Sequence, residues 1–183
     1  MIETLMALAA ENGFSHWVAA DMSALTPRQD VRDMCRADRC GRWNTSWSCP
    51  PACGTLEQAA ADIRRFDAGI VVQTTGALAD EFDYAAMEDI QRRHKRSFES
   101  LARQVRLLTG ECLPLSAGSC TLCRRCTYPD RPCRFPQRRM ASMEAYGLLV
   151  SDVCRRSGLA YYYGTRTMTY TSCVLYRTKN EVT

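Results

Sequence analysis

Apolar residues recur along this chain at helical and strand periods, interrupted by two stretches crowded with cysteine. Residues 2–10, IETLMALAA, predict an amphipathic helix ended by Asn12-Gly13. His16–Ala20 reads as a short strand, and the β-branched run Gly69–Thr75 as a buried one. Between them, Thr55-Leu56-Glu57-Gln58 is a capping-box pattern that opens a helix running to about Phe66. The most regular stripe is Tyr84, Met87, Ile90, His94, Phe98, Leu101, Val105 and Leu108. Its steps of three and four predict a helix from Glu81 to Thr109, closed by Gly110. Leu113–Ala117 suits another short strand, and Ser142 caps a helix to Ser157 that Gly158 stops. The Tyr- and Thr-rich tail, 159–177, predicts two strands turning near Gly164. Together these elements predict an α/β or α+β fold with a small mixed sheet, built as a single domain over residues 1–183.

No period survives between Asp21 and Cys53, where Cys35, Cys40, Cys49 and Cys53 fall within nineteen residues. Pro50 and Pro51 forbid helix just after Cys49. A second nest, Cys120, Cys123, Cys126 and Cys133, lies in the stretch GSCTLCRRCTYPDRPCRFP, residues 118–136. Thiols three residues apart cannot all face one apolar core, but they can wrap a metal centre. A single zinc ion is usually held by two Cys-x-x-Cys knuckles brought from a distance. The run Cys-x2-Cys-x2-Cys with a more distant fourth Cys is the arrangement of a [4Fe–4S] cluster, whose separate irons each take one thiolate. The first nest follows no single spacing rule, and ligands could be exchanged between the nests as in two-cluster ferredoxins.

Arginines surround both nests: Arg36, Arg39 and Arg42 at the first, and Arg124, Arg125, Arg131, Arg134, Arg138 and Arg139 at the second. They suit an anionic centre, either a cluster or a zinc tetrathiolate, and equally suit a solvated basic loop. Trp43 and Trp47 are candidates to shield the first nest from water. Cys112, Cys154 and Cys173 stand alone and are read as buried free thiols. His94 lies in the helical stripe and is read as a satisfied core histidine, whereas His16 has no nameable partner. The run 92–96, RRHKR, is read as a solvated helix face, and the Met and aromatic positions of that helix as core or a dimer seam.

Composition narrows the class further. The chain has 183 residues, enough to bury a core without covalent or metal staples, and eleven cysteines. The cysteine count is odd and clustered, and the N-terminus lacks the basic region of an export signal. Metal in a reducing cytoplasm therefore accounts for the thiols better than disulfides do. The net charge of +4 argues for neither nucleic acid nor membrane. No run approaches the roughly 18 apolar residues of a membrane span. There is no P-loop, glycine-rich dinucleotide turn or Gly-x-Ser-x-Gly elbow, and no three-cysteine motif of radical S-adenosylmethionine enzymes.

The segments SWSCPPACGT (46–55), GSCTLCRRC (118–126) and PCRFPQRRMASMEAYGLLV (132–150) resemble the predicted metal-binding family called domain of unknown function 2284. The likeness runs from about residue 30 to the C-terminus. It implies a small cytoplasmic protein holding iron–sulfur clusters and passing electrons, with the eight cysteines of the two nests as ligands. Ala141-Ser142 stands where the family pattern has Pro-Ser, a departure expected to alter only a helix start.

The expectation is thus two [4Fe–4S] clusters, with zinc as the alternative, serving one-electron transfer with a redox partner protein. A homodimer is a further candidate; nucleic acid and membrane are not expected as partners. A zinc-stabilised module binding nucleic acid or protein, and an enzyme using an open iron, are the competing readings.

Overall fold

The structure is a computed structural model and describes residues 1–178. One four-stranded antiparallel sheet organises it, in the order β1 (His16–Ala19), β2 (Ala68–Ala77), β4 (Thr167–Tyr176), β3 (Cys112–Leu115). The two ten-residue strands β2 and β4 pair along their whole length, Ala68 opposite Tyr176 and Ala77 opposite Thr167. Because side chains alternate along a strand, the centre of the sheet serves two cores. Ile70, Val72, Val174 and Tyr176 pack with α1 (Ile2–Glu11) and α4 (Tyr84–Thr109). Val71, Cys173 and Leu175 pack with α3 (Leu56–Ile63) and α5 (Val150–Arg156) on the other face. The fold is α+β.

Each periodic element forms for the reason its sequence gives. Thr55 and Gln58 make the reciprocal capping box at the start of α3, although the helix stops at Ile63, short of Phe66. In α4, Ile90, His94, Phe98, Leu101 and Val105 are buried, while Tyr84 and Leu108 at the ends of the stripe are exposed. The helix starts at Tyr84 because Asp83 accepts from the Ala86 N–H, so residues 81–83 lie outside it.

Three expectations are corrected. The stretch 21–53 contains a 3-10 turn at Met22–Ala24 and α2 (Gln29–Arg36), which buries only Val31 and so leaves no apolar stripe to read. The helix expected from Ser142 to Ser157 is broken. A 3-10 turn, Glu144–Tyr146, ends at Gly147 with φ +77°, and α5 begins only at Val150. The tail forms one strand, not two. Residues 159–166 spend their polar groups on the sheet instead: Ala160 O accepts from Gln73 Nε2 (2.9 Å) and Tyr163 donates to Gln73 Oε1 (2.7 Å). Tyr163 also stacks on His16, giving that residue a partner.

His94 is a core histidine. It has no exposed surface, and its two ring nitrogens meet Thr74 Oγ1 (2.9 Å) and Ser172 Oγ (2.7 Å). Burial, helped by the neighbouring Lys95 charge, pushes its pKa down to about 3. The unfolded chain then binds a proton that the native chain refuses, so this contribution is whole above about pH 6.5 and fades as pH falls toward 3. In metal-stripped protein, urea titrations across pH 4–7 should show His94→Gln with a flatter acid slope, by up to about 1.4 kcal/mol per pH unit. Equal slopes would contradict the assignment.

Candidate metal centre

Both nests lie where the chain leaves the β3 edge of the sheet, between the middle of α4 and the 144–156 segment. Cys35 sits in the last turn of α2, and Cys53 in the turn that leads into the Thr55 cap of α3. Arg32, one turn before Cys35, binds the segments together. Its guanidinium donates to Gly54 O (2.9 Å), just past Cys53, and to Ala145 O (2.8 Å) in the 3-10 turn. The thiols of Cys35 and Cys53 point at the neighbouring carbonyls Glu144 O (3.7 Å) and Ala145 O (3.6 Å).

The second nest is a loop pinched at its base. Ser116 N donates to Ala141 O (2.8 Å) and Met143 N to Ser116 O (3.1 Å). Within it, Arg131 N donates to Thr127 O (3.0 Å) and Arg134 to Arg125 O (2.9 Å). These bonds hold a segment without helix or strand in one shape.

The two nests abut. Ser48, 1% exposed, accepts from the Cys120 N–H (3.1 Å), and Trp47 Nε1 donates to Arg131 O (3.1 Å). Tyr128 packs edge-on against Trp47 and donates to Asn44 Oδ1 (2.6 Å). Trp47 therefore braces the second nest from the first. Ser48→Ala should remove the Cys120 anchor at about 1 kcal/mol and hasten loss of metal from the second nest to a chelator. An unchanged loss rate would refute that role.

Two cavities result. One, of about 520 Å³, is lined by Cys120, Cys123, Cys126 and Cys133, with Arg124, Arg125, Arg134 and Arg139 around them. The other, of about 500 Å³, is lined by Cys35, Cys40 and Cys49, with Arg39, Trp43 and Glu144. Arg42 and Ser119 belong to both, so the cavities share a wall. Cys53 lines neither; it faces a smaller cavity of about 160 Å³ beside Arg139 and Tyr146. Arg36 lines none of these, and Arg138 is engaged by Glu99 (2.6 Å).

All eleven cysteines are free thiols. Cys112, Cys154 and Cys173 are buried in the two cores, as lone cysteines should be. Burial pushes the Cys35 thiol up to about 11, helped by the charge of Glu144 and by Cys40. Burial also raises Cys49, Cys53 and Cys120. At Cys126 burial opposes ionisation too, but N–H groups of Trp47, Tyr128 and Thr127 outweigh it and hold that thiol below its ordinary value. Thiols raised in this way release protons when a cation binds them, the chemistry expected of a metal site. Among the described residues, no three His, Cys, Asp or Glu side chains converge closely enough to hold one ion. The thiols stand around the cavities instead of around a point.

Lys95 was hidden in the basic run of α4. While Arg92, Arg93 and Arg96 are exposed, Lys95 is half-buried and its Nζ donates to Ser119 O, on the wall between the cavities. Burial lowers its pKa, against the pull of Cys120 and Cys49. Nothing in the local sequence sets Lys95 apart from the arginines beside it.

The fold and its paired cavities define a cysteine-rich α+β protein. The chain belongs to the family described as predicted metal-binding protein (DUF2284), which matches residues 19–176. It matches no curated protein and no solved structure. Among the described residues, no helix is long and apolar enough to cross a membrane.

Proposed function

We propose that the chain is a cytoplasmic iron–sulfur protein that holds two [4Fe–4S] clusters and exchanges single electrons with a partner protein. The observation that carries this is the pair of cavities, each about 500 Å³, ringed by seven cysteines and joined through Arg42 and Ser119. A single zinc ion needs four donors within about 2.3 Å of one point. Thiols spread around a cavity suit a group several atoms across, whose metal corners are apart.

Cys120, Cys123, Cys126 and Cys133 hold one centre. Cys35, Cys40 and Cys49 hold the other, with its fourth donor drawn from the groups around Cys53 and the 144–146 turn. When bound, the clusters supply one-electron redox chemistry. The chain's own residues set the conditions for it. Arg42 and Lys95 place positive charge between the two anionic sites, and burial by Trp47 and the Ser46–Ser48 turn limits water. Exposed Arg124, Arg125 and Arg134 form a basic rim around the second centre, suited to docking an acidic partner surface.

Protein purified without oxygen should be brown, contain iron and acid-labile sulfide in equal amounts, and bleach reversibly on reduction. A colourless protein carrying zinc would overturn the proposal in favour of a zinc-stabilised module.

A further inference from the structure

The first nest has four cysteines, yet only three of them line its cavity. Cys53 lines the smaller cavity with Arg139 and Tyr146 instead, and its thiol points at Ala145 O. The fourth side of the cavity carries Glu144.

Glu144 is unusual among the carboxylates of this chain. Its Oε2 is buried and has no hydrogen-bond partner, and no arginine, lysine or histidine among the described residues pairs with it. A bare buried carboxylate oxygen costs more than an unsatisfied neutral group does. Nothing in the fold of the 3-10 turn requires a carboxylate there, since Glu144 merely opens a turn held by Ser142 Oγ and backbone bonds. Glu144 lines the same cavity as Cys35, whose thiol lies 3.7 Å from the same residue's carbonyl. A cation held by Cys35 would satisfy it.

We propose that Glu144 is the fourth ligand of the first centre, its carboxylate completing the set begun by the thiolates of Cys35, Cys40 and Cys49, with Cys53 outside the coordination sphere. This rests on the cluster reading above and refines it. Carboxylate and thiolate carry the same formal charge, so the total charge of the site is unchanged. Oxygen is the harder and weaker donor toward iron in a sulfide cluster, so the metal corner it holds exchanges more readily than the other three. Met34, Trp43 and Tyr161 line the same cavity, and a small donor entering it would compete with the carboxylate. The two centres then differ in kind: an all-thiolate one in the 120–133 loop, and one with a replaceable ligand beside α2.

The test uses the full chain purified without oxygen, with iron and sulfide assayed per chain and spin-resonance spectra taken after reduction. Cys53→Ser should retain the wild-type iron content and both signals. Glu144→Ala should lose the first centre, half the iron, and keep the second signal. Glu144→Cys should recover the lost iron with a shifted first signal, an outcome that a merely structural glutamate would not give. Should Glu144→Ala fail to fold by circular dichroism, Glu144→Gln supplies the reading: the first signal should change and its iron should leave faster to a chelator. If Cys53→Ser loses half the iron while Glu144→Ala keeps it all, Cys53 is the ligand and the inference is overturned, with the two-cluster reading intact. An unaltered Glu144→Gln signal overturns it equally. A wild-type chain without iron and sulfide removes the cluster reading itself, and this inference with it.

Discussion

Replacing Cys123 by serine should remove one metal centre and leave the other in place. Cys123 lines the 520 Å³ cavity with Cys120, Cys126 and Cys133, the four thiols proposed to hold that centre. A serine hydroxyl is hard, far less acidic than a thiol, and a poor ligand for iron in a sulfide cluster. The loop has no helix or strand to hold it once the centre is gone, yet it lies outside both apolar cores, so the sheet and helices should persist. Iron and sulfide per chain should fall to half with circular dichroism nearly unchanged. Full retention of both would remove Cys123 from the ligand set.

The second large effect is expected at Gly147, which lies outside the proposed ligand set. Its φ of +77° is a backbone state that side chains disfavour, and an added Cβ would stand 2.5 Å from Leu56 Cδ2 and 3.1 Å from Arg28 N and O. Gly147 O accepts from Arg28 N (2.8 Å), the bond that seats the start of α2. Gly147→Ala therefore strains the turn and pushes α2 away from it. The combined cost should be about 2–4 kcal/mol in urea unfolding, adding backbone strain to overpacking. Because the same turn carries Glu144 and receives the thiols of Cys35 and Cys53, iron should be lost first from the first centre. A cost within 0.5 kcal/mol of zero would show that the turn yields more easily than its contacts imply.

How much of this was legible in the sequence depends on range. The α4 stripe, the β2 run and the Thr55 cap were readable because each is local: a period or a cap within a few residues. The cysteine spacing was local too, and seven of the eight cysteines it singled out line the two cavities. What could not be read involves residues brought together across the chain. Ser48 meets Cys120 over 72 positions, Arg32 meets Ala145 over 113, and nothing near either residue signals it. The tail departs from its expected pair of strands for a related reason. Its Tyr- and Thr-rich composition suits a strand, but Tyr163 and Ala160 are claimed by Gln73, a buried polar residue of β2 that needs partners. The helix expected after Ser142 failed at Gly147, where packing against Leu56 and Arg28 dictates a positive φ.

The central claim is that two adjoining cysteine nests grip two inorganic clusters. Mass spectrometry of the folded chain, sprayed under native conditions without oxygen, weighs that directly. The account predicts a mass above the 20.7 kDa polypeptide by two four-iron, four-sulfide units, falling to one unit in Cys123→Ser. A mass excess of only one or two zinc ions, or the bare polypeptide lighter by the hydrogens of paired disulfides, would contradict it.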